Sequence, residues 1–134
     1  MLRYQSLIVT EKPADVKTLQ EIPGVGRYTA EAIASFAFNT FGSIVDGNVK
    51  RLFCRYFGIE GVLGTLTVDK QLWNTAETYT PTINNRQYAQ GLLDMGATLC
   101  KPKSPDCEAC SFTNSCILTR PIVSVNYQHQ SLRK

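Results

Sequence analysis

The sequence predicts an all-α protein, and three observations carry that expectation. Apolar residues recur at helical spacing in five separate segments. Glycine, proline or asparagine stands between those segments, where a helix has to stop. Alternation at period two, the mark of a half-buried strand, occurs only as one weak run in the C-terminal PIVSVNYQHQSLRK. The length of 134 residues is about one domain's worth. A hydrophobic content of 43% is enough for a core, and 19% charged residues is not a disordered composition.

Taken in order, the first helix lies in Ala14 to Ile22, where Val16, Leu19 and Ile22 form a stripe. Pro23-Gly24-Val25-Gly26 breaks it, and Arg27 to Phe38 (RYTAEAIASFAF) resumes as an alanine-rich, largely buried helix. Gly42 and FGSIVDGN end that helix. Val49, Leu52, Phe53, Tyr56 and Phe57 then follow the i, i+3, i+4, i+7, i+8 pattern of a core-facing helix, stopped by Gly58. Cys54 sits beside that stripe and is expected to pack as a small hydrophobe. A fourth stripe, Val68, Leu72 and Ala76, precedes Thr80-Pro81. Asn84 or Asn85 can cap the fifth helix, which presents Tyr88, Ala89, Leu92, Leu93 and Gly96 and ends at Cys100. Residues 120–134 read as a tail or linker and hold the single histidine, His129, as a solvated residue.

Several function classes drop out early. No apolar run approaches the roughly 20 residues that a membrane helix needs. The apolar patch in MLRYQSLIVTEKPADV is too short for a secretory signal. A soluble, intracellular protein is expected. The net charge of +3 and a pI near 8.6 permit an anionic partner without demanding one.

The cysteines are more informative. Four of the five stand in CKPKSPDCEACSFTNSC with spacing C-x6-C-x2-C-x5-C: Cys100, Cys107, Cys110 and Cys116. Disulfide scaffolds suit small secreted chains that lack a core, which this is not. Four soft thiolates on one loop can close a tetrahedral shell around zinc or hold an iron–sulfur cubane. Structural zinc sites tend to pair two C-x2-C knuckles, whereas here one knuckle is flanked by single cysteines at longer reach. The spacing predicts a metal site; by itself it favours zinc, the commoner occupant, and leaves iron–sulfur open.

The stretch IPGVGRYT, residues 22–29, has a physical logic of its own. Glycines at 24 and 26 permit positive φ, so that several backbone N–H groups can gather at the start of the following helix. The helix dipole is positive there, which suits a phosphate. A plain helix–turn–helix corner explains the same residues. A Rossmann turn does not, because no strand precedes it and no third glycine follows.

In this order, LQEIPGVGRYTA, VDGNVKRLFCRYF and the four-cysteine loop resemble the helix–hairpin–helix DNA glycosylases that carry a 4Fe–4S cluster. The resemblance runs from about Ala14 to Thr119. It implies an incomplete glycosylase catalytic domain over residues 1–119, with the helix–hairpin–helix at about 14–38 and the cluster loop at 100–116. It also implies that Cys100, Cys107, Cys110 and Cys116 ligate the cluster. Gly24, Val25, Gly26, Arg27 and Tyr28 would grip the DNA backbone, with Asn48 as a further DNA contact and Lys101 and Lys103 of the loop expected to add phosphate contacts. Endonuclease III-like members place a Schiff-base lysine two residues after the second hairpin glycine. Here that position is Tyr28, so the lyase amine is missing. The run Asp46-Gly47-Asn48-Val49-Lys50-Arg51 resembles the MutY-type adenine DNA glycosylases, which remove adenine mispaired with 8-oxoguanine or guanine.

By itself, Asp46 reads as a helix N-cap. The resemblance adds a second role, stabilising the oxocarbenium-like centre as the sugar–base bond breaks, with Asn48 orienting the carboxylate. The family's general acid is a glutamate well upstream of the hairpin, and this chain is expected to begin too late to contain it. Implied partners are double-stranded DNA with a mispaired adenine and an upstream half of the same domain; no membrane is implied. The implied location is intracellular and DNA-associated: a bacterial cytoplasm, or a nucleus or mitochondrion in a eukaryote. Two function classes follow, a monofunctional adenine glycosylase and a non-catalytic iron–sulfur DNA-binding module. An endonuclease III-like glycosylase is a weaker third.

Overall fold

A computed structural model describes residues 15–119, and all regular structure among them is helical. The elements are α1 (Val16–Gln20), α2 (Arg27–Phe36), α3 (Gly47–Phe57), α4 (Leu66–Tyr79), α5 (Asn85–Thr98) and a 3₁₀ turn (Ile117–Thr119). The expected tail 120–134, His129 and Ala14 lie outside the described residues. The chain divides into two compact units. One comprises the described residues up to Ile44 together with Ala76–Gln90. The other comprises Val45–Thr75 and the described residues from Gly91 onward.

The first unit is organised by α1 packing on α2. Asp15 caps α1, its Oδ1 accepting from the Thr18 N–H at 2.7 Å, and that bond holds the exposed carboxyl below its ordinary pKa. Leu19, Ala30 and Ala34 are buried together, with Val16, Ile22, Val25, Ile33 and Phe38 half-buried around them. Alanines at 30 and 34 carry only a methyl group, which lets the neighbouring segment approach. At Gly42 the fit is closer still, for a Cβ there would run into the Glu31 carbonyl oxygen. Helix α2 stops at Phe36 rather than Phe38. Asn39 adopts left-handed φ of 50°, and the Thr40 N–H closes back on Ala34 O at 2.9 Å. Arg86 then takes up carbonyls that this end exposes, its Nε donating to Phe36 O at 2.7 Å and Nη2 to Ala37 O at 3.4 Å. Asn85 is wholly buried, and its side-chain amide turns back to Pro81 O at 2.9 Å.

The second unit is built on α3. Val49, Leu52, Phe53 and Cys54 are buried, as are Val68 and Leu72 of α4, Leu92 of α5, and Leu118. Cys54 packs as a hydrophobe, and burial pushes its thiol up to about 11. Tyr56 and Phe57 are only half-buried, at the outer edge of the stripe. Gly58 ends the helix at φ 71°, a left-handed position that favours glycine. Two arginines, Arg51 and Arg55, are as buried as the apolar residues, each 2% exposed.

Glycines at 91 and 96, on one helix, separate close packing from propensity. A Cβ at Gly96 would lie 2.9 Å from Asn48 Cβ, whereas one at Gly91 would meet nothing within 4 Å. Gly96→Ala is therefore expected to destabilise by about 1–3 kcal/mol through overpacking. Gly91→Ala is expected to stabilise by about 0.5–1 kcal/mol through helix propensity. Urea denaturation of the two variants checks the opposite signs.

Candidate nucleic-acid interface and metal centre

The hairpin forms where the sequence placed it. Val25 N–H bonds to Ile22 O at 3.1 Å, turning the chain between α1 and α2. Only one of the two glycines needs its conformational freedom: Gly24 has φ of 85°, whereas Gly26 is extended at φ −83° and ψ −177°. Gly26 serves differently, as an N-cap without a side chain. The start of α2 thus has no side-chain cap, and the space where the Gly26 Cβ would project is open. An uncapped helix start with open approach is suited to an external acceptor. Tyr28 is 42% exposed one residue further on.

Arg27 is engaged within the protein. It pairs with Glu77, and its Nε lies 3.6 Å from the Glu31 carboxylate one turn along α2. Glu31 is buried and accepts the backbone N–H of Ser43, while the Ser43 hydroxyl meets that of Thr80 at 3.1 Å. Burial raises the Glu31 pKa, against the opposing pull of the Ser43 N–H and Arg27. Arg27 therefore braces the hairpin helix.

In the other unit, Asp46 stands in extended conformation before α3, its Oδ1 accepting from the Val49 N–H at 2.7 Å. The cap reading of this residue holds. Asp46 is half-exposed, so a capping carboxylate with fixed position borders solvent. The Asn48 Oδ1 accepts from Arg51 Nη2 at 3.1 Å. Arg51 also donates to Gly96 O, and its Nε to Cys100 O at 2.9 Å. Burial and the neighbouring Arg55 charge lower the Arg51 pKa, and Cys100 and Asp46 raise it. One residue before, Lys50 pairs with Asp69 at 3.0 Å.

The cysteine loop is a succession of turns. Cys110 N–H bonds to Cys107 O, Thr113 N–H to Cys110 O, and Cys116 N–H to Thr113 O, while Asp106 N–H returns to Leu99 O at 2.8 Å. Tyr56 anchors the far side, its hydroxyl 3.0 Å from Ser115 Oγ and its ring edge-on to Phe112. Lys101 and Lys103 are exposed, while the carbonyls of Lys101 and Pro102 accept from Arg55 at 2.7 and 3.1 Å. None of the four cysteines is in a disulfide. Burial raises the Cys107 and Cys116 pKa, and so, in smaller measure, does repulsion from the other thiols. Thiols that raise one another's pKa are a donor set that a cation would relieve. Among the described residues, no three histidine, cysteine or carboxylate side chains stand together as a ligand set. The donor chemistry fits a thiolate-bound metal; the ligand geometry is not formed.

Sequence reasoning placed the hairpin, Asp46 and the loop but missed Arg51 and Arg55. Their i, i+4 spacing on an amphipathic helix reads equally well as a solvated face, and only burial separates the two.

Comparison with known proteins fits this geometry. The helix-hairpin-helix motif matches residues 8–36, of which 8–14 lie outside the described part. An adenine DNA glycosylase of Buchnera aphidicola is 42% identical over 105 residues, covering 78% of this chain and 30% of that protein. Over most of its length this chain is similar to one part of the adenine DNA glycosylases. The human enzyme of that name is 40% identical over 78% of this chain, which spans 19% of it. A solved structure of a thermostable thymine-DNA glycosylase superposes with a TM-score of 0.68 at 34% identity, covering 81% of this chain and 49% of that one. The chain thus spans under half the length of each of these relatives.

Glu31 supplies a pH test. A carboxyl whose folded pKa is raised adds stability below its unfolded pKa and loses it as pH rises through the folded value. The stability of Glu31→Gln relative to the parent is therefore expected to grow from pH 4 to pH 7. Thermal melts of both proteins across that range check the slope, and a falling difference would show that the Arg27 pair dominates.

Proposed function

We propose that the chain forms part of a monofunctional DNA glycosylase, in which the hairpin holds the phosphate backbone and Asp46 faces the sugar of the excised base. The observation that carries this reading is the fixed, half-exposed Asp46 carboxylate at the start of α3, within a sequence homologous to adenine DNA glycosylases. As the N-glycosidic bond breaks, positive charge develops at C1′ of the deoxyribose. A preorganised carboxylate stabilises that charge without reorganising during the reaction. The departing base takes the bonding electron pair and a proton, while the oxygen of water bonds to C1′ and that water gives up a proton. An ionised Asp46 cannot donate that proton, so a second carboxyl group acts as general acid. By the resemblance it is a glutamate upstream of the matched region. Tyr28 stands where a lyase would need an amine, so hydrolysis without strand cleavage is the expected outcome.

Adenine opposite 8-oxoguanine or guanine is the proposed target, from the VDGNVKR run and the adenine glycosylase homologues. The thymine-DNA glycosylase structure favours a second reading, excision of thymine. Either reading needs the base flipped out of the stack. Cys100, Cys107, Cys110 and Cys116 would hold a 4Fe–4S cluster. When bound, it supplies four covalent anchor points for the loop. Lys101 and Lys103 are then positioned as phosphate contacts, so DNA affinity falls with salt by counterion release.

Single-turnover assays on duplexes with adenine opposite 8-oxoguanine and thymine opposite guanine separate the readings. The chain alone is expected to be slower than a preparation supplemented with the upstream half, by at least the roughly 10²- to 10⁴-fold that a positioned general acid supplies. Asp46→Asn should abolish the restored activity. Restored excision of thymine but not adenine would replace the adenine reading, and loss of neither with Asp46→Asn would remove Asp46 from the chemistry. Separately, Lys101→Glu with Lys103→Glu should weaken binding and flatten its salt dependence by about two counterions. Unchanged affinity in a gel-shift titration would take the loop out of the interface.

A further inference from the structure

We infer that Arg55 is a positioning residue of a specific kind: a buried counter-cation that couples the negative charge of a metal-loaded cysteine loop to the fold of its unit. The inference rests on the proposed metal-binding role of that loop. Arg55 is 2% exposed, yet among the described residues no carboxylate pairs with it; the ion pairs there are those of Arg27 and Lys50. Its guanidinium meets Cys100 Sγ at 3.3 Å, Lys101 O at 2.7 Å and Pro102 O at 3.1 Å. Its own carbonyl accepts from Cys116 Sγ at 3.6 Å. One residue therefore touches both the first and the last cysteine of the loop. Its Nε has no partner, and neither does Nη1 of Arg51, which is just as buried one turn earlier.

A guanidinium stays charged in any protein, and a buried one is costly unless negative charge lies nearby. Of the three groups to which the Arg55 guanidinium donates, the two carbonyls are neutral dipoles. Cys100 alone among them can become an anion. Thiols that bind a metal lose their protons, and four thiolates leave net negative charge on the loop. The buried charge of Arg55 is thus matched when the loop is loaded and unmatched when the thiols are protonated. A plain backbone staple, by contrast, would be worth the same in both states.

The test measures the loss of melting temperature when metal is stripped. Protein purified anaerobically is analysed for iron and zinc, then melted before and after treatment with EDTA and dipyridyl. The parent is compared with Arg55→Met, which has similar volume and no charge, and with Arg55→Lys, which keeps the charge. In the parent, stripping should lower the melting temperature by about 5 °C or more. That loss should shrink at least about twofold in Arg55→Met and return in Arg55→Lys. Should Arg55→Met not fold, Arg55→Gln takes its place as the neutral variant. An equal loss in all three proteins would overturn the counter-cation role while leaving the metal reading intact. A loss that shrinks as much in Arg55→Lys as in the neutral variant would overturn it as well, since geometry rather than charge would then be responsible. Protein with neither iron nor zinc would overturn the metal reading, and this inference with it.

Discussion

The hydrogen bonds of the Arg51 guanidinium are the constraint on which one unit of this molecule turns. From α3 it reaches Asn48, Gly96 on α5 and the backbone of Cys100, all while buried. A buried arginine is tolerated where its donors are answered, and here Asn48 Oδ1 and the Gly96 and Cys100 carbonyls answer Nη2 and Nε, while Nη1 has no partner. The consequence is geometric. The start of α3, which holds Asp46, and the start of the cysteine loop are fixed to one side chain, so a change at either is felt by the other. The tight approach of Gly96 to Asn48 follows from the same arrangement, because a larger residue at 96 would push Asn48 aside.

Two helix starts in this chain show one physical problem resolved in opposite ways. The first N–H groups of any helix lack intrahelical partners. At α3, Asp46 fills that need from within and becomes a well-fixed carboxylate. At α2, Gly26 has no side chain to offer, and the space before it stays open. The first arrangement suits a residue that must present negative charge to a developing cation. The second suits recognition of an anion from outside. Arg27, beside the second, braces the helix through Glu31 and Glu77.

Much of this was legible in the sequence because it depends on local rules. Stripes such as Val68, Leu72 and Ala76 are buried as their spacing requires, and Gly24, Asp46 and Gly58 sit where turn and cap chemistry puts them. The end of α2 was misplaced by two residues, since neither Ala37 nor Phe38 is a helix breaker and the stop comes with Asn39 in left-handed conformation. Arg51 and Arg55 were not legible at all. Their burial depends on carbonyls some 45 residues away in sequence, at Gly96 and Cys100 to Pro102, and no local pattern encodes such partners. The cysteine spacing was plain, but the metal's identity does not follow from spacing, for zinc and iron–sulfur sites draw on the same thiolates.

Amide hydrogen exchange tests the central claim most directly, that Arg51 fixes the Asp46 end of α3 and the cysteine loop as one piece. The reporters are the Val49 N–H, which donates to Asp46, and the Asp106 N–H, which donates to Leu99 O. In Arg51→Met both amides should lose protection together, while the Thr40 N–H in the other unit keeps its own. Faster exchange at Val49 with Asp106 unchanged would contradict the account, because the helix start and the loop would then be held independently.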